Sequence, residues 1–229
     1  ATEEIEQLSA GMSDMRKEAE QINEEEGLLD MELSPYLPLP GMTSTVDTFD
    51  KLWHTVLNFH RNYEKWYYGP FTGLDADEIR DETDNAWRTL YKLGRALTDI
   101  PGARRIAEMI RGKIEKFKQF IPVLQTICNP GLQARHWEQI SKVVGATIVA
   151  SDQSSLSQMI EYGLPIHIAK LEEISSSATK EHTLEKNLEK MKDEWQQIYF
   201  DLTPYRETGV QILSAVDDIQ MLLDDHILK

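Results

Sequence analysis

Residues 46–66, VDTFDKLWHTVLNFHRNYEKW, carry an apolar side chain at every third or fourth position. The members of this stripe are Phe49, Leu52, Val56, Phe59, Tyr63 and Trp66. Spacings of three and four place side chains on one face of an α-helix, so the stretch predicts a helix with one buried side. The same spacing recurs through most of the chain between breaks at glycine and proline. The predicted fold class is therefore all-α, an elongated helical bundle that forms a rod.

One stretch departs from helical spacing. Phe200 and Leu202 alternate with polar residues, Val210 and Ile212 do the same, and a glycine lies between the two pairs. Period-two alternation on both sides of a turn predicts one small β-hairpin over 198–213. A plain loop between two helices is the alternative for the same residues.

The N-terminal end is the acidic part of the chain. Residues 1–34 hold 11 acidic and 2 basic residues, whereas the 229 residues together hold 39 and 24, a net charge of −15. An apolar seam that includes Ile5, Leu8 and Met12 predicts an amphipathic helix there. The dense prolines that follow predict an extended connector over 30–45.

Composition excludes several classes of protein. A net charge of −15 argues against sequence-independent binding to nucleic acid or to anionic membranes, since both need a positive surface. Cys128 is the one cysteine, so it forms no internal disulfide and we expect a buried, inert thiol. No apolar run is long enough to span a membrane. Because the chain begins at Ala1 and ends at Lys229 without terminal signals, we expect a piece of a longer protein.

The motifs of common catalytic sites are missing. The Gly112–Lys113 pair is the one Gly-Lys pair, but Ala107 and Ile114 stand where a phosphate-binding loop needs Gly and Ser or Thr. No histidine follows an acidic residue at the spacing of a di-iron bundle site. The neighbouring carboxylates near the C-terminal end are expected on a solvated helix face. The sequence therefore predicts neither catalytic residues nor a cofactor or metal site in this chain.

The tryptophans and the basic helix are the candidate contact residues. Core positions are the first expectation for all five tryptophans, with a binding face as the alternative where Trp66 precedes Tyr67 and Tyr68. The helix over 104–118 is basic, and it is expected either to face solvent or to dock an acidic partner, including the acidic N-terminal helix.

A resemblance to a known family rests on three blocks that occur in the family's order. They are FIPVL with NPGLQARHWEQI (120–140), ATKE with LE, Trp195 and Phe200 (178–200), and LSAVDDIQMLLDDH (213–226). Together these blocks resemble the start of the linker region of dynein heavy chains, most closely the axonemal, single-headed inner-arm type. The residues that match this signature are Asn129, Pro130, Gly131, Arg135, His136, Trp137, Ile140, Lys180, Glu181, Trp195, Phe200, Asp217, Asp218, Ile219, Leu223, Asp224 and Asp225.

The resemblance implies a division of the chain and a mechanical role. Residues 1–45 would be an acidic helix with a Pro-rich connector, 46–116 the helical neck or tail end, and 117–229 the N-terminal part of the linker. In this family a linker arches over a ring of AAA+ modules, bends and straightens with the nucleotide state, and so gives the power stroke on microtubules. The family's linker contains a small hairpin among its helices, which supports the hairpin expected here.

The resemblance also implies partners and a location. The fragment itself would not be an enzyme, whereas the parent heavy chain would be an ATP-driven motor with ATP and Mg in its ring. The ring of the same heavy chain would be the main partner, with tail-associated light chains (actin plus centrin or an axonemal light chain) further upstream and microtubules bound only through the parent. The location implied is the cytoskeleton of a cilium or flagellum, the axoneme, in the cytoplasm. The alternative function is a passive helical scaffold or adaptor that binds another protein through residues 1–66.

Overall fold

The computed structural model of the chain describes residues 2–151, 153–214 and 216–228. Within those ranges the chain forms nine α-helices, a short 3-10 helix and a two-stranded sheet, which confirms the all-α class with one small hairpin. The helices are α1 Thr2–Leu28, α2 Pro38–Tyr68, α3 Ala76–Ala96, α4 Pro101–Lys118, α5 Ile121–Ile127, α6 Ala134–Val144, α7 Leu156–Glu161, α8 Ile168–Gln196 and α9 Asp217–Leu228, with the 3-10 helix at Leu164–His167 before α8. The strands are β1 Asp201–Pro204 and β2 Gln211–Ser214.

The extended connector between α1 and α2 is shorter than the sequence predicted. α2 begins at Pro38, so the expected extended connector over 30–45 is wrong for its second half. Pro38 occupies the first helical position, and Pro40 falls within the first turn. Backbone N–H groups in the first turn have no partner inside the helix, so prolines there remove no hydrogen bond.

The acidic helix α1 packs along α2. Met12 and Ala19 of α1 are buried, and the ring of His54 in α2 lies 3.4 Å from the carboxylate of Glu6. The acidic helix therefore docks on α2, and not along the basic α4 as one of the two expectations for the basic helix allowed. The predicted division of the chain at residues 45 and 116 stays a prediction, and α2 runs across the first of these positions without a break.

The main core lies between α2, α3 and α4 and continues to α8. The apolar stripe of α2 supplies Leu52, Phe59 and Trp66, all buried, as the helical spacing predicted. The Trp66 ring stacks on Phe117 of α4 with centroids 5.6 Å apart. Trp66 is thus a core residue, and the alternative of a binding face is wrong for it. The other four tryptophans are only half-buried, so the expectation of a core position is wrong for them.

The hairpin forms where period-two spacing predicted it. β1 and β2 pair antiparallel, with Asp201 opposite Ser214 and Pro204 opposite Gln211. Gly209, between the strands, has a φ of 72°, a left-handed conformation that glycine adopts without steric cost.

The second half of α8 has an apolar seam that is partly exposed. Its heptad-like seam runs through Leu184 and Leu188, yet these side chains are 62% and 63% exposed. The buried residues of α8 instead lie in its first half, at Leu171, Ser175 and Ala178. Helical spacing shows that a helix has an apolar face but not which part of that face meets a neighbour.

Candidate functional site

Residues 129–137 and residues 175–185 form a dense set of polar contacts, named here the α6–α8 clamp. The first range is the connection between α5 and α6 with the first turn of α6, and the second is the middle of α8. Most signature residues of the first two sequence blocks lie in this clamp or beside it. The clamp is therefore the candidate functional site.

Asn129 fixes the end of α5 to α8. Its Nδ2 lies 2.9 Å from the backbone oxygen of Ser175, 2.7 Å from the Ser175 hydroxyl and 2.8 Å from the Thr179 hydroxyl. Its Oδ1 accepts a hydrogen bond of 2.9 Å from the backbone N–H of Gly131. Both ends of the amide are thus satisfied, one by the turn itself and the other by α8.

Gly131 is the point of closest approach between the connection and α8. A Cβ atom at this position would lie 2.6 Å from the backbone oxygen of Ala178 and 3.0 Å from the Cβ of His182. Real Cβ atoms essentially never come within 3.0 Å of another heavy atom in this way. The hydrogen atom of a glycine is the one side chain that lets the two backbones touch here.

His136 lies at the centre of the clamp and is only 2% exposed. Its Nδ1 accepts a hydrogen bond of 3.1 Å from the backbone N–H of Gln133, and its Nε2 lies 3.2 Å from the Glu181 carboxylate. The backbone contact fixes Nδ1 as an acceptor, so the proton is on Nε2 and points at Glu181. The histidine therefore caps α6 and binds α8 at the same time.

Arg135 adds a charged contact on the solvent side of the clamp. Its guanidinium binds Glu181 through both Nε and an Nη atom and lies 3.5 Å from Glu185. The hydrogen bond from Arg135 lowers the pKa of the Glu181 carboxyl, and the charge of Arg135 and the hydrogen bond from His136 lower it further. Gln133 also donates to Glu185, at 2.8 Å and 3.0 Å. Two neighbouring acids of α8 are thus bound by three side chains of the α6 end.

The apolar signature residues pack below these polar contacts. Ile140 is fully buried, and the Trp137 ring lies 6.0 Å from that of Phe71. Pro130 and Lys180 belong to the same signature but are exposed. The clamp therefore brings together Asn129, Gly131, Arg135, His136 and Glu181.

The signature residues from the end of α8 onward form a second, separate group. Trp195 donates from Nε1 to Nδ1 of His226 at 2.9 Å, and the other ring nitrogen of His226 lies 2.8 Å from Glu194. This triad ties α9 to the end of α8. Phe200 and Leu223 are exposed, and Ile219 is half-buried. The four aspartates of the signature all face solvent, as the solvated-face expectation predicted: they are Asp217, Asp218, Asp224 and Asp225.

Sequence reasoning missed one partner on α8 and the pairing of the others. Thr179 and Glu185 fall within the second block of the resemblance, but nothing in the sequence links them to Asn129 and Gln133. Ser175, which also receives Asn129, lies outside that block, and nothing distinguishes it from other polar residues of α8. His226 was also missed as a buried partner of Trp195.

The remaining candidate residues have structural surroundings. Cys128 is half-buried and not fully buried as expected, and this burial, with the charge of Asp75, raises the pKa of its thiol to about 12. Gly112 and Lys113 lie within α4, so their backbone is helical and does not form a loop. Across the described ranges, no three His, Cys, Asp or Glu side chains are grouped as metal ligands. Nor does any helix of the described chain have the length and apolar character needed to cross a bilayer.

Comparisons with known proteins agree on one family. The family described as "Dynein heavy chain, N-terminal region 2" matches residues 39–229. The chain is 45% identical over 227 residues to Dynein axonemal heavy chain 3 of Homo sapiens, an alignment that covers 99% of this chain and 6% of that protein. It is 30% identical over 225 residues to Dynein axonemal heavy chain 1 of Mus musculus, covering 98% of this chain and 5% of that protein. The chain thus spans a small part of the length of these relatives.

Proposed function

We propose that this chain, which belongs to the dynein heavy chain family, is a force-transmitting segment at the start of the linker of an axonemal motor. The segment would not catalyse a reaction itself. It would move relative to the AAA+ ring of the same heavy chain and so deliver the power stroke of ciliary or flagellar beating. The α6–α8 clamp is the single observation that carries this proposal.

The clamp has the properties that force transmission requires. A joint between helices transmits force only if it resists bending, and a joint held by hydrogen bonds and close backbone contact does so better than one held by apolar contact alone. Asn129, Gly131 and His136 each join the α5–α6 connection directly to α8. The chain direction therefore changes at a joint that is fixed by several independent contacts.

The wider assignments belong to the same proposal. ATP and Mg would be bound by the AAA+ ring of the parent heavy chain, since the Gly112–Lys113 pair of this chain lies in a helix. Microtubules would be bound only through the parent, and tail-associated light chains such as actin with centrin, or an axonemal light chain, would lie upstream. The single-headed inner-arm type is the subclass we propose, and the cilium or flagellum axoneme the location.

The experiment separates chemistry from movement in the full heavy chain. Deleting residues 117–229 should leave ATP hydrolysis measurable and abolish microtubule gliding. A finer variant, Gly131→Val, should slow gliding by loosening the clamp while hydrolysis continues. Gly112→Val is the matched control, because a Cβ there meets nothing within 4 Å. Normal gliding speed after the deletion would refute the proposal.

A passive scaffold is the second candidate, favoured by one feature of the N-terminal end. The turn between α1 and α2 exposes Leu28, Leu29 and Leu37, with exposed fractions of 71–86%. Such a cluster of apolar side chains is typical of a protein contact. A scaffold role predicts that Leu28→Ser and Leu29→Ser release a bound protein, while the Gly131→Val variant leaves gliding unchanged.

A further inference from the structure

The second half of α2 and the end of α4 border an open apolar groove that no other described element fills. The groove has a volume of about 620 Å³. Val56, Leu57 and Tyr63 line it from α2, and Ile110 and Phe117 line it from α4. The rings of Tyr63 and Phe117 meet edge to face at 5.6 Å and close its floor.

Three cations of α4 have partners within the described residues, whereas the two that line the groove and Arg105, which lies outside it, make no ion pair or hydrogen bond there. On the side of α3, Arg104 pairs with Glu108 of its own helix, Lys118 pairs with Asp84, and Arg111 lies 5.6 Å from the centroid of the Trp87 ring. The positive charges of these three residues are therefore compensated by acids or an aromatic ring of the same chain.

Lys113 and Lys116 are the cations of α4 that line the groove. Both are exposed, and within residues 2–151, 153–214 and 216–228 neither makes an ion pair or a hydrogen bond. They lie three positions apart, so they form one edge of the groove. In a chain with a net charge of −15, this unpaired positive edge beside an apolar floor is a local reversal of the surface charge.

We propose that the α2–α4 groove binds an acidic amphipathic helix of a partner protein. A helix fits because the space between two packed helices accepts a third in the same ridge-and-groove manner. From Trp53 to Glu64 the groove follows α2 for roughly 17 Å, which corresponds to three turns of helix. The apolar side of the partner covers Leu57 and Tyr63, and its acids face Lys113 and Lys116.

The opposite edge of the groove sets the orientation of that partner. His60 and Glu64 line the α2 side, and Glu64 repels a partner that is acidic all around. The partner helix therefore carries its acids on the side of α4 and neutral or basic residues on the side of α2. The α1 helix of a second copy fits less well, since its own apolar residues Met12 and Ala19 are already buried against α2.

A helical probe peptide tests the groove directly on the 229-residue chain. The probe is a fluorescent peptide of about 14 residues with leucine on one face and glutamate on the other, long enough for the whole groove. Fluorescence anisotropy should show saturable binding that weakens as salt is added. The same peptide with lysine in place of glutamate should bind at least tenfold more weakly.

Variants of α4 and α2 test whether the peptide binds in the groove. The double variant Lys113→Glu with Lys116→Glu should bind the glutamate peptide at least tenfold more weakly than the unmodified chain. Arg105→Glu is the control, because it makes the same change of charge as Lys113→Glu alone on an exposed residue of α4 outside the groove. Leu57→Glu should abolish binding by removing the apolar contact, and unchanged circular dichroism checks that the variants are folded.

Three results would overturn the proposal. Equal binding of the glutamate and lysine peptides would show that the groove does not select an acidic partner. An equal loss with Arg105→Glu would show that binding follows general charge and not the groove. If sedimentation shows a dimer that Lys113→Glu with Lys116→Glu dissociates, the occupant is a second copy of this chain and not a partner helix.

Discussion

Replacing Gly131 by alanine would place a methyl group where the α5–α6 connection touches α8. The new Cβ would lie 2.6 Å from the backbone oxygen of Ala178 and 3.0 Å from its carbonyl carbon. Ala178 lies inside α8, so its carbonyl is held by the helix and cannot swing aside as a flexible side chain could. The connection itself has to retreat by roughly 0.8 Å to reach the 3.4 Å of an ordinary contact.

That retreat gives a definite loss of stability. Forcing one extra carbon into a close-packed contact costs typically about 1–3 kcal/mol in the free energy of unfolding. Asn129 lies two residues away, and its bonds of 2.7–2.9 Å to α8 stretch in the same movement, which adds about 1 kcal/mol if one of them is lost. For a chain of this size each kcal/mol lowers Tm by roughly 2–4 °C.

The assay is urea unfolding of the 229-residue chain followed by circular dichroism, with Gly112→Ala as the internal control. Gly112 lies in the middle of α4 and a Cβ there meets nothing within 4 Å, so alanine should raise the free energy of unfolding by about 0.5–1 kcal/mol. The two substitutions are chemically identical and should act in opposite directions. The reasoning is refuted if Gly131→Ala leaves stability unchanged or raises it as Gly112→Ala does.

Three further predictions concern single side chains. The Cys128 thiol should react with a thiol reagent at pH 8 far more slowly than free cysteine, because its pKa of about 12 leaves almost no thiolate; reaction at the rate of free cysteine would contradict this burial. Because Arg135 lowers the pKa of Glu181 in the folded chain, the contribution of Glu181 to stability is present above the ordinary glutamate pKa and is lost as the pH falls through the lowered value. Urea unfolding from pH 7 to pH 3 should therefore show that Glu181→Gln lowers stability at neutral pH and that the difference from the unmodified chain disappears in acid; a difference that is constant with pH would contradict the pairing. Replacing His226 by alanine removes the partner of Trp195, so amide hydrogen exchange should become faster in α9 and stay unchanged in α4, whereas unchanged exchange in α9 would show that the triad does not hold the helix.

The sequence was sufficient for the features that depend on local periodicity. Spacing alone predicted the stripe of α2, and Leu52, Phe59 and Trp66 of that stripe are indeed buried. The hairpin was predicted by period-two alternation around a glycine that does adopt the left-handed conformation. In each case the residues that carry the signal are neighbours within a few positions of the chain.

The features that depend on distant contacts were beyond the sequence. Leu184 and Leu188 have the spacing of a buried seam, but burial needs a facing element, and none of the described elements covers them. Gly131 belongs to the signature, but the sequence does not show why a glycine is needed there. The need comes from the backbone oxygen of Ala178 in α8, which lies 47 positions further along the chain. The resemblance thus named several clamp residues, including Glu181 on α8, whereas the pairing of each residue with its partner could be found only in the folded structure.

The length and continuity of α2 give this helix a mechanical consequence. Its 31 residues extend over roughly 46 Å, and from Met42 to Tyr68 the helix contains neither glycine nor proline. Kinks in helices occur mainly at such residues, so α2 has no built-in hinge. A bending force applied through α1, which packs along α2, would therefore act on one continuous helix that ends at the aromatic core around Trp66. In that respect α2 is expected to behave as a single stiff rod, so that its two ends move as one unit.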